Sequence, residues 1–488
     1  MASQTPQIHF VLFPFIAQGH MIPMVDIAKI LVQQNVVVTL VTTPHNATRF
    51  KSTLASYIES GFQLRLVEVP FPFEEAGLPK GCENLDMLPS LGTSLNLFTA
   101  LSFVRKPVET LFEELNPPPS CIISDICLPY TIHIAKKFNI PRISFAGVSC
   151  FCQLCLHNLR VHNVRERIKD ENEYFVLPGI ADKIEMTLAQ TPAPMDETWK
   201  EFGDEVLAAE IDTYGTIMNT FEELEPAYAR EYKKVRGDKV WCIGPVSLSN
   251  KGHLEKAQRG KNGSIDEWQH QKWLDSQKPG SVIYACFGSL CNLTPPQFIE
   301  LGLALEASKR PFIWVIRESS TSEALEKWIK EDGFEERTNG VGLVIKGWAP
   351  QLLILAHPSI GGFITHCGWN STLEAISAGV PMITWPLFAD QFLNQNLVVH
   401  VLKVGVKVGV ETPVTWGNED KIGVLVKKED VENAIKELMD ETSEREERRE
   451  RVREFAKMAK NAVEKGGSSH SNVTLLIQDI FQNSKKDI

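Results

Sequence analysis

The sequence predicts two α/β domains, each built on a mostly parallel sheet with helices on its faces. Three observations carry this. Short β-branched or apolar runs alternate with longer amphipathic runs from the start of the chain. The alternation stops at Gly244-Pro245 and restarts at SVIYACFGS, after a polar stretch. The chain has 488 residues, more than one ordinary core organises.

In order, HFVLFPF reads as a buried strand, and MIPMVDIAKILVQQ as a helix with Pro23 in its first turn. NVVVTLVTT is a β-branched strand. Further strands follow in FQLRLVEV, CIISD, PRISFAG, TIMNT and VWCIG, with helices between them. These make an N-terminal domain over residues 1–246. The stretch SLSNKGHLEKAQRGKNGSIDE is charged and almost free of large apolar residues, so 247–268 reads as a linker. The second series holds SVIYACFGS, the helix PPQFIELGLALEAS, then FIWVIR, GVGLVIKGW, GGFITH, a helix from Asn370, and PMITWP, giving a domain over 269–465. Residues 466–488 form a last helix, expected to cross back to the N-terminal domain. SEREERRERVREFAKMAKNAVEKG mixes charge signs at helical spacing, which marks a solvated helix face.

The net charge of −11 argues against a general nucleic-acid surface. MASQTPQIHFVLFPF lacks the basic region of a secretory signal, and no apolar run is long enough to span a bilayer. The ten cysteines are scattered, as suits a reducing compartment. A cytoplasmic protein without a membrane span is expected. Cys150, Cys152 and Cys155 lie in the apolar helix SCFCQLCLHNL and read as core thiols, since a metal site would need a fourth ligand and an open loop.

The most specific signal is WAPQLLILAHPSIGGFITHCGWNSTLEAISAGVPMITWPLFADQ, Trp348 to Gln391. GGFITH reads as a strand, Cys367-Gly368-Trp369 as a tight turn, and NSTLEAISAG as a helix stopped by Gly379. A helix start directly after a parallel strand offers free backbone N–H groups and a positive dipole end, which suits phosphate. His366, Asn370 and Ser371 can add donors, and Glu374, one turn on, can accept from hydroxyls such as those of a ribose. Asn370 and Ser371 would equally serve as simple helix caps.

A second cluster is split along the chain. His20, in FPFIAQGH, sits between the first strand and the first helix. A helix start keeps an imidazole neutral and able to take a proton. Asp125 follows the strand CIIS, so it too lies at a strand's carboxyl end, where ligand crevices open in parallel sheets. From the residues alone His20 reads as a polar turn residue or a base, and Asp125 as a cap or that base's partner.

The whole Trp348–Gln391 block resembles the signature of plant UDP-sugar-dependent glycosyltransferases of specialised metabolism. The match includes Trp-Ala-Pro-Gln, His-Cys-Gly-Trp-Asn-Ser, Glu374 and the closing Asp-Gln. The Gly-His turn, the Asp after a later strand and the FGS turn at Phe287 to Ser289 extend the likeness over nearly the full length. The resemblance implies the GT-B fold, two Rossmann-like domains facing across a cleft. Trp348 resembles the residue that stacks on uracil and Ala349 the one whose backbone reads the base edge. Gln351 would lie beside the nucleoside, and Glu374 on the ribose hydroxyls. His366, Asn370, Ser371 and Ser289 resemble the diphosphate binders. Trp369, Asp390 and Gln391 resemble the residues that hold the sugar. A closing Gln accompanies glucose in similar enzymes, so Gln391 favours UDP-glucose, with UDP-galactose and UDP-glucuronic acid as alternatives.

The resemblance also puts a catalytic base at His20 and its partner at Asp125. The implied reaction has His20 take the proton of an acceptor hydroxyl. The oxygen then attacks the anomeric carbon opposite the UDP, with inversion. No metal or other cofactor is expected, and a monomer is. The acceptor region falls near 81–100, the helix after Gly147 and the loop 181–199. GLPKGCENLD and the N-terminal segment resemble a branch acting on triterpenoids and flavonoids, including acceptors already bearing a sugar. An NAD-dependent oxidoreductase would need G-x-G-x-x-G after the first strand, and FPFIAQGH lacks it. A UDP-sugar epimerase would need no apolar acceptor pocket. A non-catalytic UDP-sugar sensor would need neither His20 nor Asp125.

Overall fold

The computed structural model describes residues 7–192, 197–260, 267–290, 293–317 and 322–485. The first six residues, 193–196 of the expected acceptor loop, 261–266 of the expected linker, and Cys291 lie outside the described residues. No described helix is long and apolar enough to cross a membrane.

The strands, in chain order, are β1 (His9–Phe13), β2 (Val37–Thr42), β3 (Leu64–Glu68), β4 (Cys121–Asp125), β5 (Arg142–Ala146), β6 (Tyr174–Val176), β7 (Glu185–Thr187), β8 (Gly215–Met218), β9 (Val240–Cys242), β10 (Val282–Cys286), β11 (Phe312–Ile316), β12 (Gly342–Lys346), β13 (Ile360–Thr365), β14 (Met382–Thr384) and β15 (Gly405–Lys407). They fall in two compact units. One holds Met1–Cys150, Pro194–Lys251 and Asn461–Ile488, and the other Phe151–Ala193 and Gly252–Lys460.

The first unit carries a seven-stranded sheet in the order β3-β2-β1-β4-β5-β8-β9, parallel throughout. Its central strands are buried along their whole length, as helices on both faces require, and that is why they read as unbroken apolar runs. The helix Ser468–Ser484 packs against the edge strand β9. Asn472 Nδ2 donates to the Cys242 carbonyl at 3.0 Å, Ser469 Oγ donates to the Gly244 carbonyl, and Asp479 accepts from Lys239 Nζ and Tyr214 OH, both at 2.7 Å.

The second unit carries a six-stranded parallel sheet in the order β12-β11-β10-β13-β14-β15. Trp314, Trp385, Phe298 and Phe287 fill the core beside it. The antiparallel pair β6–β7 belongs to this unit as well.

The first helix starts earlier than its apolar run suggests. It spans Gln18–Val32, because Ala17 is extended (φ −140°, ψ 142°) and the N–H groups of His20 and Met21 both reach the Ala17 carbonyl at 2.9 Å. His20 therefore lies in the first helical turn rather than in a loop, and Pro23 lies inside the helix. Cys150, Cys152 and Cys155 are fully buried on the helix Cys150–Val161, and Cys150 Sγ lies 3.8 Å from Cys242 Sγ. They are core thiols.

Candidate active site

The first unit positions His20 from two adjacent strands. β1 and β4 pair with Phe13 opposite Ser124, so their carboxyl ends lie side by side. The chain leaving β1 opens the His20 helix, and Asp125 ends β4. His20 Nδ1 is 2.7 Å from Asp125 Oδ2. Asp125 is fully buried, while the His20 side chain is 33% exposed. The second carboxylate oxygen, Oδ1, accepts the Cys127 N–H at 2.9 Å. A carboxylate can only accept, so Nδ1 carries the hydrogen and Nε2 is the basic nitrogen. The Cys127 thiol is also close: a ligand atom each from His20, Asp125 and Cys127 lies within 4.8 Å of the others. Burial and the Asp125 charge push that thiol well up, away from its thiolate.

Aromatic rings continue from His20. Phe15 meets the imidazole edge-on, with centroids 5.2 Å apart. Phe98 stacks on Phe15 at 4.8 Å and meets Trp199 and Phe202 at 5.2 and 4.6 Å. The segment Glu83–Asp86 is tied to the same place. The Leu85 N–H donates to the Ile16 carbonyl at 3.0 Å, Glu83 Oε2 accepts the His45 N–H at 2.9 Å, and Arg49 holds Asp86 through two hydrogen bonds of 2.7 and 2.9 Å.

The second unit gathers the signature block at the carboxyl ends of β10 and β13, which pair with Cys286 opposite Thr365. The Phe287-Gly288-Ser289 turn follows one strand and His366 the other. A Cβ at Gly288 would fall 2.5 Å from His366 Cε1, and one at Gly368 would fall 2.3 Å from His366 Nε2. The imidazole fills the space that two missing side chains leave, and Gly288 also has φ +72°. Burial pushes the His366 pKa down to about 4, so the ring is neutral at physiological pH. Cys367, at φ 64°, turns the chain, and the helix Trp369–Ala378 begins with Gly368 as its cap and ends on Gly379 at φ 75°. The helix opens at Trp369, one residue before Asn370. Asn370 and Ser371 lie in its first turn.

Glu374 is 4% exposed. Its Oε2 accepts Gln351 Nε2 at 2.8 Å, and its Oε1 accepts Arg259 Nη1 at 2.5 Å. The Gln351 amide also reaches Ser371 Oγ at 3.0 Å. Trp348 is half-buried at the end of the chain leaving β12, followed by buried Ala349. Asp390 Oδ2 accepts Asn394 Nδ2 at 2.6 Å, and Asn394 Nδ2 also donates to the Cys367 carbonyl at 2.9 Å. The Gln391 carbonyl oxygen accepts the N–H groups of Leu387 and Phe388 at 2.7 and 3.1 Å, which leaves its amide nitrogen as the group able to address a ligand. Trp369 is only 2% exposed, so most of its indole is packed in the core.

Of the residues the sequence singled out, the structure joins His20 to Asp125 in the first unit and Gln351 to Ser371 and Glu374 in the second, while Ser289, Trp348 and Ala349 stand at strand ends of the same sheet. Sequence reasoning missed Arg259, which stood in a stretch read as linker and had no spacing to mark it. It also missed Asn394, whose amide bridges Asp390 to the glycine turn and whose asparagine is one polar residue among several in a buried helix.

Residues 264–453 match the family model "UDP-glucoronosyl and UDP-glucosyl transferase". The chain is 55% identical to UDP-glycosyltransferase 73C5 of Arabidopsis thaliana over 490 residues, 99% of each protein. It is 55% identical to UDP-glycosyltransferase 73C11 of Barbarea vulgaris over 478 residues, 97% of each. Among solved structures, UGT73P12 of Glycyrrhiza uralensis, complexed with glycyrrhetinic acid 3-O-monoglucuronide, superposes with a TM-score of 0.90 at 35% identity, covering 99% of this chain and 97% of that one. TcCGT1 in complex with UDP superposes with a TM-score of 0.78 at 26% identity, covering 98% and 100%. With two parallel-sheet α/β units of the GT-B type and near-complete coverage by such relatives, the chain belongs to the plant UDP-glycosyltransferases of specialised metabolism, enzymes that transfer a sugar from a UDP-sugar.

Proposed function

We propose that the enzyme is an inverting O-glucosyltransferase that moves glucose from UDP-glucose to a hydroxyl of an apolar plant metabolite, a triterpenoid or a flavonoid. The observation that carries the reading is the 2.7 Å contact between a buried Asp125 and a partly exposed His20. Asp125 holds the imidazole in one tautomer and stabilises the ring as it takes the acceptor proton from its Nε2 side. The deprotonated oxygen attacks the anomeric carbon, and the bond to the UDP oxygen breaks on the opposite face. The leaving diphosphate is stabilised by the helix start at Trp369–Ser371, by His366 and by Ser289. On this account the charge is met by protein donors, and no metal or cofactor is required. Trp348 and Ala349 would take the uracil, Gln351 and Glu374 the ribose, and the Asp390 and Gln391 side chains with the Trp369 main chain the hexose.

The aromatic run Phe15–Phe98–Trp199–Phe202 supports an apolar, flat or polycyclic acceptor. An acceptor already bearing a sugar is the second reading, favoured by the Glycyrrhiza uralensis relative complexed with a 3-O-monoglucuronide. Gln391 favours glucose as the donor sugar. The enzyme is expected to act as a cytoplasmic monomer.

The test is a UDP-release screen. UDP-glucose, UDP-galactose and UDP-glucuronic acid are offered with triterpenoid, flavonoid and monoglycosylated acceptors, and products are identified by mass and anomeric configuration. UDP release that depends on acceptor and gives a β-glucoside supports the proposal. Turnover of the donor without acceptor would point to an epimerase or hydrolase instead. The His20→Ala enzyme should lose transfer by roughly 10²–10⁴-fold while binding UDP as before. Near-normal turnover in that variant removes His20 as the base.

A further inference from the structure

The stretch between Asn250 and the second sheet is charged and polar, yet part of it is packed. The short helix His253–Ala257 lies against the helix Gln351–Ala356, the one that carries Gln351, and Ala257 is fully buried. Two residues later the Arg259 side chain, 9% exposed, meets the Glu374 carboxylate, 4% exposed. Both charges are out of water. Desolvating them is costly unless they meet each other in good geometry, and either alone would be an uncompensated buried charge.

Glu374 therefore has a donor on each oxygen: Arg259 Nη1 on Oε1 and the Gln351 amide on Oε2. A carboxylate has about four acceptor positions, so one remains on each oxygen. A carboxylate with one acceptor position left on each oxygen can accept a pair of neighbouring hydroxyls. Arg259 Nη1 on one oxygen and the Gln351 amide on the other together restrain the rotation of the carboxylate, and a planar guanidinium fork holds its donor in a more fixed direction than an ammonium would.

We infer that Arg259 is a donor-site positioning residue, which cancels the buried charge of Glu374 and aims its carboxylate at the vicinal hydroxyls of a nucleoside diphosphate. The inference rests on the reading of Glu374 as the ribose acceptor. It turns part of the presumed linker into a component of the nucleotide site.

Binding of UDP and of 2′-deoxy-UDP is measured by calorimetry for the wild-type enzyme and for Arg259→Met, Arg259→Lys and Glu374→Gln, with kcat and KM for the UDP-sugar. The wild type should prefer UDP to 2′-deoxy-UDP by about tenfold or more, as expected for a lost hydrogen bond to a charged group. In Arg259→Met the preference should shrink to about twofold and KM for the donor should rise about tenfold, with kcat within about twofold, the pattern of lost uniform binding. Arg259→Lys, which keeps the charge and loses the fork, should fall between the two. A residue that only braced the fold would lower Tm and leave the ribose preference intact.

If Glu374→Gln keeps the wild-type preference, the ribose reading of Glu374 falls. If Glu374→Gln abolishes the preference and Arg259→Met retains it, the Arg259 inference alone falls. Should Arg259→Met not fold, Arg259→Lys decides, since a full wild-type preference and KM there overturn the role of the fork.

Discussion

The groups around His20 are gathered from Phe15, Glu83–Asp86, Phe98, Asp125, Trp199 and Phe202, whereas those of the second site come mostly from the single stretch Trp348–Gln391, with Arg259, Asn394 and the Phe287–Ser289 turn added to it. The two sites also differ in how their polar atoms are satisfied. In the second unit Gln351, Ser371, Glu374, Asp390, Gln391 and Asn394 are hydrogen-bonded into fixed orientations by neighbours. Near His20 the polar contacts are the His20–Asp125 pair and the Glu83–Asp86 segment, and aromatic rings stand beside the imidazole. On the proposed function this frame would meet a nucleotide, whose hydroxyls and phosphates are the same in every such enzyme, and a rigid polar frame suits it. On the proposed function the acceptor asks for area and shape, which the partly exposed rings of Phe98, Trp199 and Phe202 supply with little directional demand.

That contrast can be broken by changes confined to one site. The largest effect is expected from Gly368→Ala. Its Cβ would fall 2.3 Å from His366 Nε2, so either the imidazole or the glycine turn must move. Overpacking of this kind costs about 1–3 kcal/mol, read as a lower Tm. UDP affinity should fall with it, while the acceptor KM stays near the wild-type value. Loss of acceptor affinity alone would contradict the separation of the two sites.

Phe98→Ala should do the reverse. Removing the ring that links Phe15 to Trp199 and Phe202 is expected to raise the acceptor KM several-fold, about 1 kcal/mol for the lost aromatic contacts, and to leave UDP binding within about twofold. Calorimetry with UDP and steady-state kinetics on one acceptor separate these outcomes.

The smallest effect is on pH dependence. The His366 pKa is pushed from 6.5 to about 4 in the folded enzyme. Between those values the unfolded chain holds a proton that the folded chain does not, so this residue makes stability fall as pH drops from 6.5 towards 4. His9, also pushed down by burial, acts in the same direction. Tm measured from pH 7 to pH 5 should therefore decline less in His366→Gln than in the wild type. Equal slopes would mean that His366 is not held neutral by its enclosure.

Legibility in the sequence followed the same divide. The parallel strands were readable because both faces are covered, so runs such as VVTLVT stay apolar from end to end. The Trp348–Gln391 block was readable because its geometry is local: strand, glycine turn, helix start and carboxylate follow one another along the chain. Asp125 was readable only by its place after a strand, since nothing local says that it meets a residue 105 positions earlier. The start of the first helix was misplaced because the signal used was the apolar run, while the backbone turns at Ala17. Arg259 was not readable at all. It stands in a polar stretch, and its burial comes from a short helix packed on residues far along the chain. The aromatic run needs Phe15, Phe98, Trp199 and Phe202 together, and aromatic residues at such separations read as ordinary core.

The helix Ser468–Ser484, which covers the edge strand of the first sheet, has a consequence for the order of synthesis. A ribosome that has completed β9 has made every strand of the first unit's sheet but not the helix that closes its edge. The second unit's larger part, Gly252–Lys460, must all be translated first. Until then the strand Val240–Cys242 is an open edge, with the Cys242 and Gly244 carbonyls and the Lys239 ammonium lacking the partners they have in the finished chain. The first unit of this enzyme begins before the second and is finished after it.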